Sequence, residues 1–330
     1  MSQFTELVDL AAERLGGAVL LANDEFFAPK EALLKPGAPV WREGEYTDRG
    51  KWMDGWETRR RRSPGHDWCI VRLGLPGTIH GVVVDTSFFR GNYPEQCAID
   101  ATVVEGTPPI EDLADEKKTR WRSILQQSPL KGDSRNEFGI HGMPRATHLR
   151  LNIYPDGGVA RLRVFGEPGF DPVNVRPDNE TDLAAIENGG LVVGCSDMFF
   201  GHKHNLIMPG RSTHMGDGWE TKRRRGPGHD WVIVRLAARG TVRRVEIDTD
   251  HFKGNAPSSC LIETLDSQTD AKSVNAPGGT WQTLLRQSPL QPHARHRFGE
   301  LSHPNAATHA RLSIYPDGGI ARLRLYGTIV

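Results

Sequence analysis

The sequence predicts an all-β protein made of two tandem jelly-roll β-sandwiches, and three observations carry that prediction. The chain repeats itself along its length, its apolar residues fall in short alternating runs rich in β-branched side chains, and Gly, Pro and Asn punctuate those runs at turn spacing.

The repeat is the strongest of the three. DGWETRRRRSPGHDWCIVRL from Asp54 returns as DGWETKRRRGPGHDWVIVRL from Asp217, identical at 17 of 20 positions. DLAAERLGG at Asp9 matches DLAAIENGG at Asp182, and NDEFF at Asn23 matches SDMFF at Ser196. DTSFFRGN at Asp85 matches DTDHFKGN at Asp248, WRSILQQSPL at Trp121 matches WQTLLRQSPL at Trp281, and YPDGGVARLRVFG at Tyr154 matches YPDGGIARLRLYG at Tyr315. The one substantial shift in register is at the DGWET motif, where the offset between copies falls from 173 to 163, so copy one carries ten extra residues between Leu34 and Asp54. That stretch, with Trp41, Tyr46 and Trp52 among charges, reads as a surface insertion or as a lid or interface element. Between the copies, EPGFDPVNVRPDNET is rich in residues that block helix and strand alike, which places the domains at 1–170 and 171–330, with the boundary near Asp171.

Within each copy, segments such as WCIVRLGL, HGVVVDTSFF, HLRLNIYP and ARLRVFG read as strands. Pro155-Asp156-Gly157-Gly158 predicts a tight turn with a residue at positive φ. Only LVDLAAERLGG and DLAAIENGG read as helical, each closed by glycine as a C-cap. Roughly seven strands with long turns per copy favour an antiparallel sandwich or jelly roll, repeated.

With 41 basic and 41 acidic residues among 330 the net charge is zero, so no whole-molecule field draws the protein to nucleic acid or anionic lipid. Any anion must be held by a local cluster. The N-terminus lacks the basic stretch and apolar run of a signal peptide, and no span of about 18 apolar residues occurs, so the expected protein is cytoplasmic with no membrane partner. Exposed sheet edges on repeated β-modules suggest a homo-oligomer. Four cysteines without C-x-x-C spacing are too few for a disulfide scaffold, and the matched pair Cys97 and Cys260 reads as small buried hydrophobes.

The densest polar constellation is Asp54-Gly55-Trp56-Glu57-Thr58 followed by Arg59 to Arg62, then Gly65-His66-Asp67-Trp68. On an extended segment Trp56, Thr58, Arg60 and Arg62 face one way, and Glu57, Arg59 and Arg61 the other. Guanidinium forks grip carboxylates in two-pronged fashion, so such a face suits a small acid. A solvated basic turn is the alternative, weakened because the motif recurs where other surface stretches have diverged. His66-Asp67 and His229-Asp230, at the head of an apolar strand, read either as a proton-transfer pair or as a capped turn. Asp85 with Asn92, and Asp248 with Asn255, either orient urea-like N–H and C=O groups or only shape a turn. His202-Lys203-His204 lacks the further ligands of a metal site, so no metal ligand is assigned, while a divalent-metal requirement stays open. The absence of GxxxxGK[ST], GxSxG and H-E-x-x-H leaves phosphoryl transfer and serine hydrolysis without support.

DGWETRRRR with GHDW and DTSFFRGN, echoed by DGWETKRRR, GHDW and DTDHFKGN, resembles the allantoicase (allantoate amidinohydrolase) family over nearly the whole chain. The resemblance implies a duplicated jelly roll of galactose-binding-domain type and the conversion of allantoate and water to (S)-ureidoglycolate and urea in purine breakdown. No catalytic assignment comes with it. The residues themselves suggest that Arg60 and Arg61, or Arg223 and Arg224, hold the carboxylate and a ureido oxygen, with Asp85, Asn92, Asp248 and Asn255 beside them. Glu57, His66 and Asp67, or Glu220, His229 and Asp230, are the candidates for acid and base. Ureidoglycolate urea-lyase activity, or a non-enzymatic glycan-binding jelly roll, are the alternatives.

Overall fold

The computed structural model describes residues 3–142, 145–170, 179–267 and 281–330. The expected boundary at Asp171 lies outside the described residues. The chain forms two compact units, Met1–Gly169 and Phe170–Val330, and each is a jelly-roll sandwich whose strands pair antiparallel throughout.

One long strand organises each unit. In unit one, Asp67–Asp85 pairs through its first half with Ala18–Ala22 and Ala146–Tyr154, and through its second half with Arg161–Pro168 and Arg135–Gly139. The strand therefore leaves one layer and enters the other. It crosses at Gly77, which pairs with both Ala146 and Pro168. A Cβ there would sit 2.2 Å from the Glu167 carbonyl oxygen, so only glycine fits. Gln96–Thr102 and Arg122–Pro129 extend the first layer, and Val8–Asp9 edges the second. In unit two Asp230–Asp248 does the same, with Gly240 at the crossing. Alternation along these strands buries Cys69, Val71, Ile79, Val84, Leu149, Leu151 and Leu162 between the layers, the sandwich core that the β-branched runs predict.

The two helix-like stretches are corrected. DLAAERLGG forms the strand Val8–Asp9 and a single 3-10 turn at Glu13–Leu15, and DLAAIENGG likewise gives Thr181–Asp182 and Ile186–Asn188. Asp9 explains the difference: its Oδ1 accepts from the Ala11 and Val164 amides, so the chain is tied to a neighbouring strand instead of coiling. The glycine stops are as expected, with Gly16 and Gly189 left-handed at φ 95° and 105°. Gly157 takes φ 137° in the predicted turn. All four cysteines are free, and burial pushes the Cys97 and Cys260 thiols up to about 12.

His148 and its counterpart His309 are buried in the central strands, and burial, reinforced by Arg72 and Arg235 respectively, lowers each to about 4. In an unfolded chain an ordinary histidine titrates near 6.5. Below that pH the unfolded chain takes up protons that the folded one refuses, so their contribution is complete above about 6.5 and is lost as pH falls toward 4. Guanidinium unfolding at pH 7 and pH 5 is expected to show up to about 2 kcal/mol lost per histidine. A His148→Leu, His309→Leu double variant should have the flatter profile, and an unchanged slope would contradict this origin.

Candidate active site

A cleft of about 790 Å³ opens at one rim of unit one, walled by Phe26, Phe27 and Tyr93, with Glu57, Asn92 and the run Arg59–Arg62 around it. The DGWET motif builds its floor. Gly55 is obligatory because a Cβ would meet the Val159 carbonyl at 2.6 Å and the Phe89 ring at 2.8 Å. Trp56 is fully buried, its indole N–H donating 2.8 Å to the Asp24 carbonyl. Thr58 is buried too, and its hydroxyl accepts from the Gly157 amide.

Glu57, between these two anchors, turns to the cleft, and Asn92 Nδ2 donates to its Oε1 at 2.7 Å. Burial raises the Glu57 carboxyl above the usual carboxylate range, partly offset by the Asn92 bond. The adjoining arginines divide by partner. Arg59 pairs with Asp24 and lies over the Phe26 ring. Arg61 is tied down, its amide donating to Asp156 and its Nη1 to the buried Asp67 at 2.7 Å. Its guanidinium packs against Gly65, which takes φ 128°. Arg60 and Arg62 are exposed, and among the described residues they have no hydrogen-bond or ion-pair partner. They are the guanidinium groups free to bind an anion.

The structure thus gathers Glu57, Asn92, Arg60 and Arg61 around one hollow, and it does not bring His66, Asp67 or Asp85 to its lining. Asp67 is 2% exposed, held by Arg61 and by Asn23 Nδ2 at 2.9 Å. His66 packs against Tyr154 with ring centroids 4.6 Å apart and tilted by 33°, and it meets Asn152 Oδ1 at 3.2 Å. Asp85 is buried and accepts from the Ser87 amide and hydroxyl. In unit two, Asn255 likewise donates to Glu220 at 2.6 Å, Arg224 pairs with Asp230, and His229 packs tilted against Tyr315. Arg223 is exposed, and Asp248 is buried near Arg295. The copies differ at Asn255, whose Nδ2 also lies 3.3 Å from the Met215 sulfur.

The ten-residue insertion contributes to the first cleft. Its hairpin, Tyr46–Thr47 with Gly50–Lys51, sends Arg49 to the Phe26 carbonyl at 3.0 Å and over the Phe26 ring. This braces the Phe26–Phe27 wall, whose rings meet edge to face at 5.1 Å. In unit two the matching Phe199 and Phe200 are 70% and 63% exposed. Sequence reasoning missed Phe26, Phe27, Tyr93, Glu95 and Asp156 as lining residues, although the NDEFF and YPDGG echoes were visible. Among the described residues no three His, Cys, Asp or Glu side chains group as a metal site, and no helix is long and apolar enough to cross a membrane.

Fold and cleft together define a tandem jelly-roll protein with a guanidinium-lined polar hollow at a sandwich rim. The allantoicase repeat matches residues 8–169 and again 181–330. A probable allantoicase of Nocardia farcinica is 50% identical over 99% of this chain and 95% of its own, and an allantoicase of Dictyostelium discoideum is 47% identical over 97% and 87%. The crystal structure of the Saccharomyces cerevisiae allantoicase superposes with a TM-score of 0.77 at 35% identity, covering 98% of this chain and 93% of that one. The chain belongs to the allantoicase family.

Proposed function

We infer that the protein hydrolyses allantoate to (S)-ureidoglycolate and urea. Relatives bearing the allantoicase name at about half identity over the full chain support that reaction over the lyase and glycan-binding alternatives. One observation carries the assignment of the site: unpaired guanidinium groups and a half-buried carboxyl with an amide partner share a single hollow.

Allantoate is a carboxylate on a carbon that bears two ureido groups. Arg60, with Arg62 beside it, binds the carboxylate, and the Phe26 and Phe27 faces restrict water on one side. Water adds its oxygen to the central carbon and gives up a proton as the bond from that carbon to one ureido nitrogen breaks. The leaving nitrogen keeps the electron pair and must gain a proton. Glu57 supplies it, because burial keeps its proton on to higher pH than an ordinary glutamate would. Asn92 orients the Glu57 carboxyl. A homo-oligomer in the cytoplasm belongs to this proposal on sequence grounds alone.

Purified protein is expected to release one urea per allantoate, with ureidoglycolate formed in equal amount. The same preparation run through gel filtration reports its assembly. Absence of urea from allantoate would overturn the reaction.

A further inference from the structure

The internal duplication provides a control that a single-copy protein lacks, because each residue lining the first cleft has a counterpart at a known offset in the second copy. Twelve of the fifteen lining positions carry the same residue in both: the phenylalanine pair, Glu57, Thr58, three of the four arginines, Gly91, Asn92, and the Pro-Asp-Gly turn. Arg59 against Lys222 keeps its charge. The remaining two change chemistry, since Asn92-Tyr93-Pro94-Glu95 aligns with Asn255-Ala256-Pro257-Ser258.

Both replacements fall on the same short segment, and the structure gives each a reason. Tyr93 walls the cleft against Gly132, where a Cβ would meet its ring at 2.5 Å, and the residue matching Gly132 in copy two is Pro292. The aromatic and the space made for it differ together. The Glu95 backbone is fixed at both ends, its amide donating to the Tyr154 carbonyl at 3.0 Å and its carbonyl accepting from Leu130 at 2.9 Å. Its side chain lines the cleft, is exposed, and has no hydrogen-bond or ion-pair partner among the described residues. Such a carboxylate does no structural work. In unit two the place is taken by serine, and Met215 lies against Asn255.

We propose that turnover belongs to repeat one, where Glu95 is the second catalytic carboxylate, acting as general base in the cleft that Glu57 also lines, and that the matching residues of repeat two lack the base. This rests on the reading of the cleft given above. Hydrolysis at the central carbon needs one group to take a proton from water and another to give one to the departing nitrogen. Glu95 takes the water proton as the oxygen bonds to carbon, Glu57 gives its proton to the urea nitrogen, and solvent exchange returns both carboxyls to their starting forms.

Steady-state urea release by the full chain separates the possibilities. Glu95→Gln is expected to lower kcat by about 10²- to 10⁴-fold with KM little changed, and to remove the acid limb of the kcat/KM profile. Because the carboxylate bonds to nothing, the variant should melt as the native protein does. Glu95→Asp keeps the charge and should still lose most of the rate, while Ser258→Ala should leave turnover unaltered. Glu57→Gln should lose at least about a hundredfold more than Glu220→Gln. Equal losses from Glu57→Gln and Glu220→Gln would overturn the assignment to repeat one, and a Glu95→Gln enzyme within about threefold of native would overturn the role of Glu95. If neither Glu57→Gln nor Glu220→Gln slowed the reaction, the reading of the cleft itself would fail instead.

Discussion

Replacing Glu57 with glutamine is expected to slow urea release by about 10²- to 10⁴-fold while substrate binding stays within a few-fold of native. Glutamine keeps the shape of the side chain, and its carbonyl can still accept from Asn92 Nδ2. It has no proton to transfer. The arginines that hold the substrate are untouched, so the loss falls on kcat rather than KM. The pH profile supplies a second signature. A general acid works while protonated, and burial raises the Glu57 carboxyl, so the native rate should fall on the alkaline side at a pH above that of an ordinary glutamate. The glutamine variant should lack that limb. A kcat within about threefold of native would remove Glu57 from the chemistry.

The largest stability effect is expected at Arg161, which lies on the strand Arg161–Pro168 and is 3% exposed. Its Nη2 meets Asp54 Oδ2 at 2.6 Å, its Nη1 donates to the carbonyls of Asp54 and Ala160, and its Nε donates to the Gly37 carbonyl. Asp54 also accepts from Lys35 Nζ and the Val40 amide. Burial alone would raise the Asp54 carboxyl, but these donors, Arg161 foremost, hold it below its ordinary value. The cluster fastens the start of the DGWET motif to the root of the insertion. Arg161→Met leaves Asp54 buried with a half-exposed lysine as its only cation and takes the Arg161 donor from the Asp54 and Ala160 carbonyls, which is expected to remove about 3–5 kcal/mol from the unfolding of unit one. Adding Asp54→Leu should recover part of that loss, since an uncompensated buried charge is the main penalty. Guanidinium unfolding checks both variants, and a loss under about 1 kcal/mol for Arg161→Met would show that the pair is dispensable.

The duplication and the alternating strands were legible because sandwich cores impose period-two burial, and each copy confirms the other. The helix expectation at DLAAERLGG failed because Asp9 offers its carboxylate to a neighbouring strand, a long-range bond that no local pattern encodes. Within the site, Trp56 and Thr58 share the buried face as alternation requires. The regular strand, however, ends at Glu57, so the arginines beyond it are placed by separate contacts and not by one extended face. His66 and Asp67 are adjacent in sequence, yet successive side chains of an extended chain point apart. Asp67 turns inward to Arg61 and His66 outward to Tyr154. Tyr93 and Glu95 were missed for a different reason. They differ between the copies, whereas the residues present in both include the ones that simply hold the fold, such as Gly55 and Trp56. The informative signal was a difference, GNYPE against GNAPS.

The central claim is that the hollow around Glu57 and Arg60 receives the substrate, and a crystal structure of the Glu57→Gln variant soaked with allantoate tests it most directly. The expected density places the ligand carboxylate on Arg60 and a ureido nitrogen against residue 57, between the Phe26–Phe27 wall and Tyr93. Ligand seated elsewhere on the chain, with this hollow empty at saturating concentration, would contradict it.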